Sequence, residues 1–495
     1  MSVYKASIYN YIFNSINVIL VIVNGIIMVP VYFNYMSVST YGAWLATGNV
    51  IAMLGLLESG FAGVITQRMS AAIAQKNDTR FSLLAGANIL SAIAISLVIL
   101  LVGLGLAPFV TDWINVESEV IPEIRTAFII SLIATCEQLL VSLFGVFPQV
   151  WQDTKSVGIF NTVANLLAIA SLVVFLIAGC GVVSIALSYL VRSSFNLILY
   201  NQWIIRKWKR CHYPSPVYSY YEVLSLSRDC FYPFLSKISG TVVANSQSFI
   251  IAHFMNPALS TVYDLTSKIC MVACSFVSMM NGSFFALFSL TLAGDDKEKT
   301  DNVMKTSNTF FFTLLSVTLL YSICFTEPVM YYWVGLDKFG GIWLLIAIVV
   351  AKILLQMRTY FNNVLYSGGY ISKSAKFDIL WMFTYVSLLL ALIKSTQIYA
   401  VPVATLVSCL LFVGVYVYMM NKYLKLNTRS ILYTLIKTIA VVLPFCAIHF
   451  LVSPNYTNIM LYAIYVFLFS ITFIVVLYIT NRQFFRLIIK RFVNR

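Results

Sequence analysis

The sequence predicts an all-α integral membrane protein with about fourteen transmembrane helices. Hydrophobic residues make up 60% of the 495-residue chain and charged residues 10%, against about 25% charge in soluble domains. The apolar residues form long runs from Tyr11 to Thr480, each near the ~20 residues that cross a hydrocarbon core of about 30 Å. The basic residues fall on alternate connections between the runs, as the positive-inside rule requires.

In order, the runs are 11–33, 41–65, 81–106, 126–147, 157–178, 182–200, 231–255, 262–291, 303–326, 340–366, 375–393, 399–420, 431–452 and 458–480. Their length selects helices, because barrel strands would alternate in polarity over about ten residues. The first run lacks the short core and small-residue cleavage site of a signal peptide and reads as an uncleaved anchor. An even number of crossings puts both termini on one side. With that side cytoplasmic, 23 of the 32 Lys and Arg lie inside, and three, Arg125, Lys338 and Lys394, lie outside. The net charge of +14 is therefore mainly a topological signal. No soluble domain offers the basic stripe that nucleic acid would need.

The longest outer connection, 107–125, is acidic, with Asp112, Glu117, Glu119 and Glu123. The longest inner one, 201–230, opens with interleaved Trp and Lys/Arg (Trp203, Arg206, Lys207, Trp208, Lys209, Arg210) and reads as a basic interfacial linker facing anionic headgroups. It also separates two similar halves. A shift of about 220 residues lays 11–33 over 231–255 and brings Gln75–Asp78 near Asp295–Glu298, and such a parallel repeat is a common transporter plan. The nine cysteines show no disulfide or zinc spacing. Cys270 and Cys274 share a helix face and read as small apolar packing. His253 and His449 lie near outer helix ends, where histidines are mostly interfacial. No nucleotide-binding loop, nucleophile elbow or metalloprotease motif occurs, so the chain reads as neither an enzyme nor a cofactor or metal protein.

Function must then lie in the polar groups kept inside the membrane, where charge is costly and usually faces a cavity or a partner. Six basic residues fall within runs (Arg192, Lys237, Lys268, Lys352, Arg358, Lys437), against three acidic ones identified there, Glu58, Glu137 and Asp264. Lys352, Gln356, Thr359 and Asn363 recur on one helix face, with Arg358 and Asn362 beside it. Asn10, Asn14, Asn17 and Asn24 line another face, and Lys237, Thr241, Asn245 and Ser248 a third. Such stripes either line a wet cationic cavity or hydrogen-bond between helices. Asp264 and Lys268, four apart, read as an internal ion pair. Glu58 and Glu137 either pair with a base such as Arg192 or exchange a proton after burial raises their pKa. Lys437 can snorkel to the interface.

The opening stretch has a distinctive pattern: Val29-Pro-Val-Tyr-Phe-Asn-Tyr35, Tyr41-Gly-Ala-Trp44, Leu57-Glu-Ser-Gly60 and Ile65-Thr-Gln-Arg68. It resembles the start of bacterial polysaccharide flippases of the O-antigen, Wzx type. These share a superfamily with multidrug extruders and the lipid II flippase. Family members usually have Asp-Leu-Gly where this chain has Glu-Ser-Gly, a mild departure. Asp295–Glu298 and the Asn362–Gly369 stretch extend the likeness less specifically.

The resemblance implies a V-shaped bundle of two six-helix lobes, 1–200 and 231–420, joined by 201–230. The segment 421–495 would add two extra transmembrane helices and a basic cytoplasmic tail. It also implies alternating access in the bacterial cytoplasmic (inner) membrane. The substrate would be an undecaprenyl-diphosphate-linked oligosaccharide moved to the outer leaflet, with a polysaccharide polymerase and a chain-length regulator as partners beside membrane lipids. A diphosphate needs cations in the cavity, which nominates Arg192, Lys237, Lys352 and Arg358. Sugars need amides and hydroxyls, which nominates Asn14, Asn17, Asn245 and Asn363. Glu58 and Glu137 are the coupling candidates. A multidrug or cation antiporter of the same fold would want acids in the cavity, whereas this interior is net positive. A lipid II flippase shares the anionic lipid-linked substrate, and a membrane polymerase or ligase would need a large outer loop.

Overall fold

The computed structural model describes residues 13, 16–17, 19–20, 24–55, 61–114, 116–151, 153–211, 213–292, 297–426, 429–452 and 454–482. Helix α1 is described over 24–32. It is followed by α2 (Val38–Leu54), α3 (Phe61–Ala74), α4 (Asp78–Val110), α5 (Ile121–Phe144), the short α6 (Val146–Val150), α7 (Thr154–Ile177) and α8 (Val183–Cys211). Then come α9 (Tyr220–Phe254), α10 (Pro257–Leu292), α11 (Lys297–Trp333), α12 (Ile342–Ser367), α13 (Ile371–Thr396), α14 (Ala400–Leu424), α15 (Arg429–Val452) and α16 (Ile459–Thr480). Every expected run has a helical counterpart, and no strand occurs among the described residues. Ten helical stretches there, counting α13–α14 as one, are long and apolar enough to cross a membrane. The chain is a multi-pass α-helical membrane protein. Lipid dictates this, because each backbone N–H and C=O must be satisfied within its own segment.

Helix starts follow local chemistry. Ser37, Asn77, Asp153 and Asn458 cap α2, α4, α7 and α16 by accepting from the amides of Thr40, Arg80, Ser156 and Leu461. Pro122 occupies the first turn of α5, where its missing N–H costs nothing. The expected run 41–65 corresponds to α2 and α3, with 56–60 between them outside the described residues.

By internal contacts the chain divides into two units, Met1–Thr261 and Val262–Arg495. In the first, α5 packs on α8 and α4, α7 on α8, and α9 on α2. Gly42 is required here. A Cβ at that position would sit 1.7 Å from the carbonyl oxygen of Pro257, which is backbone and cannot yield. Gly42→Ala is expected to cost about 1–3 kcal/mol, as overpacking does, read as a lower thermal midpoint of the purified protein.

The stretch expected as a linker, 201–230, is mostly helix, since α8 runs on to Cys211 and α9 begins at Tyr220. Its Trp residues face protein rather than headgroups. Trp208 stacks on Phe81 at 5.5 Å, and Trp203 lies 5.6 Å from Trp151. Arg206, Lys209 and Arg210 on the other face are exposed. Beyond it, Val217 donates its amide to the Ser82 carbonyl at 3.2 Å. Arg80 grips Glu222 through both guanidinium nitrogens at 2.6 and 3.1 Å, and Arg68 pairs with Asp229. The start of α9 is thereby tied to α3 and α4.

In the second unit, α12 packs on α14, α13 on α14 and α11 on α15. The last two helices join α11 through a cluster that includes Leu320, Phe325, Val442, Phe469 and Phe473. Lys437 of α15 donates to the Thr480 carbonyl and, at 3.1 Å, to Asn481 Oδ1, so it caps α16 instead of reaching for the interface.

Candidate functional site

Within the second unit, α10 and α12 border an open cavity of about 480 Å³. Met271, Cys274, Ser275, Ser278 and Met279 of α10 form one wall, and Lys352, Leu355 and Gln356 of α12 the other. Lys352 and Gln356 are one helical turn apart and reach the same space, as their i, i+4 spacing requires. Ser278 donates to Gln356 Oε1 at 3.2 Å, which orients the amide. Cys274 of the α10 wall lies with its sulfur 4.0 Å from that of Cys270, which is not a lining residue, and both belong to an apolar cluster with Ile323, Leu345 and Val349. They pack as small apolar residues. Asp264 and Lys268 form the expected ion pair at 3.2 Å.

Arg358, six residues beyond Lys352, turns away from this cavity. It is 4% exposed and bonds to Asp378 of α13, which is 0% exposed. Tyr416 of α14 donates to Asp378 Oδ1 at 2.6 Å, and Asn362 donates to Oδ2 at 3.1 Å. The Arg358 guanidinium carbon lies 3.5 Å from the centre of the Trp381 ring. The carboxylate, the ring and the phenol together surround a buried guanidinium, whose Nε makes no hydrogen bond. Arg358, expected to bind a diphosphate, is here engaged within the protein by Asp378, Tyr416 and Trp381. Asn363 is half-buried on the same helix.

The first unit holds a second polar region. Asn17 Oδ1 accepts from Asn165 Nδ2 at 2.8 Å and from Thr162 at 3.4 Å. Asn196 Nδ2 donates to Asn161 at 3.4 Å. Asn17 thus joins helices, the interhelical alternative for the asparagine stripe. Asn14 and Glu58 lie outside the described residues. Glu137 accepts from Ser193 at 2.8 Å and Ser194 at 2.7 Å. No salt bridge joins it to Arg192, one residue before that Ser pair, among the described residues. Arg192 is half-buried, and its Nε has no hydrogen-bond partner. Lys237 is exposed and Asn245 half-buried on α9. Of the four basic candidates, Arg192 and Lys237 belong to the first unit and Lys352 and Arg358 to the second.

The sequence profile of the polysaccharide biosynthesis protein family matches residues 7–292, more than half of the chain. The chain belongs to that family. This polysaccharide biosynthesis protein has the fold of the multidrug/oligosaccharidyl-lipid/polysaccharide exporter superfamily. It is similar to the lipid II flippase MurJ in an inward closed conformation, with TM-score 0.68, 10% identity and coverage of 98% of this chain and 100% of that one. An inward-facing multidrug resistance MATE family transporter of the same superfamily gives TM-score 0.65 and 13% identity over 84% of this chain and 95% of that one. A variant of a Vibrio cholerae MATE transporter gives 0.58 and 12% over 85% and 98%. A comparison with curated proteins returns no match. The MATE structures are of transporters and MurJ is a flippase; at 10–13% identity their likeness to this chain is one of fold.

Sequence reasoning missed Asp378 in this family member. It lies inside the run 375–393, but Lys373 and Lys376 just before it make the stretch read as a membrane border. The available signal was an acid twenty residues from an intramembrane Arg, the two flanking a Gly-Gly turn.

Proposed function

We propose that this protein is a flippase for lipid-linked saccharides. It carries an undecaprenyl-diphosphate-linked oligosaccharide repeat unit, of O-antigen or a related surface polysaccharide, from the inner to the outer leaflet of the bacterial inner membrane. The observation that carries this reading is the Lys352 cavity. A diphosphate brings about two negative charges into a medium that solvates them poorly, and a cation with hydroxyl and amide neighbours offsets that cost. Lys352 supplies the charge, while Ser275, Ser278 and Gln356 supply the hydrogen bonds. In the first unit Arg192 and Lys237 are the cations, and Asn245 the amide, that we assign to an anionic saccharide substrate, and in the second unit Asn363 is assigned to sugar. Alternating access of two lobes moves the substrate, and a polymerase and chain-length regulator receive it.

A lipid II substrate is the second reading. It is favoured by MurJ covering 98% of this chain where the MATE transporters above cover 84% and 85%. Both readings are tested by deleting the gene and extracting undecaprenyl-diphosphate sugars, then probing their access to an external lectin or glycosidase. Accumulation of an inaccessible repeat unit is the expected result, and accumulation of peptide-bearing lipid II selects the second reading. Normal export with altered tolerance to cationic drugs would overturn both and move the protein to the multidrug branch.

A further inference from the structure

The second unit holds another cavity, of about 180 Å³, where the C-terminal end of α11 meets α15 and the connection to α16. Glu327, Pro328, His449, Phe450 and Tyr456 are among its walls. Glu327 accepts from the Tyr456 hydroxyl at 3.1 Å, and no salt bridge reaches it among the described residues. The nearest cation along the chain, Lys338, bonds instead to Asp337 at 2.7 Å and to the Val334 carbonyl at 3.0 Å. His449 is 7% exposed, and its Nδ1 lies 2.9 Å from the Tyr465 hydroxyl.

Phe450, Tyr456 and His449 are the rings that line the space, among aliphatic walls that include Ile323, Ile342 and Pro454, and further tyrosines pack behind Tyr456. Tyr331 lies 5.4 Å and Tyr462 6.3 Å from the Tyr456 ring, and Tyr332 donates its hydroxyl to the Tyr456 carbonyl. The Tyr462 hydroxyl is buried with no hydrogen-bond partner. Just beyond the rim, Leu451 and Val452 are 84% and 57% exposed, as expected of lipid-facing positions. The cavity lies where α11 and α15 end, the ends that the distribution of Lys and Arg in the sequence assigns to the outer side.

We propose that this cavity binds the ammonium group of an outer-leaflet lipid headgroup. A carboxylate beside the Phe450 and Tyr456 rings offers an organic cation both a counter-charge and aromatic faces. Calcium would demand six or more oxygens and magnesium a near-ideal octahedron, whereas the side-chain oxygens lining this space are those of Glu327 and Tyr456. The space holds several waters, enough for an aminoethyl group. A bound lipid there would fasten α15 and the α16 connection to α11, while Lys437 ties α15 to α16 at their other ends. The site is separate from the Lys352 cavity and does not depend on its reading.

The test is native mass spectrometry of the purified full chain with equimolar phosphatidylethanolamine and phosphatidylglycerol. The wild type is expected to retain phosphatidylethanolamine selectively, and Glu327→Gln to lose that preference roughly tenfold, the order of one desolvated cation contact. Gln at 327 can still accept from Tyr456, so the connection keeps its anchor. Tyr456→Phe keeps the ring and is expected to keep the selectivity. Displacement by free phosphoethanolamine would assign the site to ammonium compounds in general, and resistance to it would assign it to the intact lipid. Equal retention of both lipids by the wild type, or an unchanged preference in Glu327→Gln, overturns the proposal.

Discussion

Lys352→Ala is expected to slow export of the lipid-linked saccharide by about 10- to 100-fold while the protein still accumulates normally in the membrane. That range follows from the 1.5–3 kcal/mol carried by a hydrogen bond to a charged group, at a factor of ten per 1.4 kcal/mol. Lys352 lines an open space rather than a packed core, so truncating it leaves no large void. The measurement is the amount of repeat unit retained at the cytoplasmic face, normalised to protein abundance. Lys352→Arg keeps the charge and should recover part of the rate. Normal export by Lys352→Ala would remove the cationic site from the mechanism.

Asp378→Asn is expected to act on the fold instead. Removing one partner of a buried ion pair strands the other, at about 3–5 kcal/mol. Here the stranded group is a guanidinium 4% exposed against the Trp381 ring. Both Asp378→Asn and Arg358→Ala should lower the thermal midpoint and the yield from membranes. The double variant Arg358→Met/Asp378→Leu should recover much of the loss, because apolar groups of similar volume often replace a buried pair without cost. Transport per folded molecule should be little changed. A stable Asp378→Asn protein that no longer transports would overturn this structural role.

The helices were legible because a lipid-spanning segment has to be helical and long. Gln356 was legible beside Lys352 because a single turn joins them. Partners distant in sequence were not. Arg68 and Arg80 counted as topological charges, yet the acids that hold them, Glu222 and Asp229, are more than 140 positions away in the chain. Asn17 gave no sign of whether it faced a cavity or Asn165, since both want the same amide at the same spacing. The continuation of α8 was hidden because its exposed face is basic, so hydropathy ends at residue 200 while helical periodicity continues. Trp203, Ile204, Lys207 and Trp208 keep one face inward at i, i+1, i+4 and i+5.

The Arg358–Asp378 pair also bears on how the chain enters the bilayer during synthesis. Each charge, presented alone at the centre of a helix, would oppose insertion by about 2.5–3.5 kcal/mol. The two sit on consecutive helices joined by a tight turn, in which Gly369 takes φ +85° and the Tyr370 amide returns to the Leu365 carbonyl at 3.1 Å. That turn lets α12 and α13 meet before either is committed to lipid. The unit that partitions from the translocation machinery is then a hairpin in which these two charges cancel, and a ribosome stalled between the two helices would leave α12 with Arg358 unpaired in addition to Lys352.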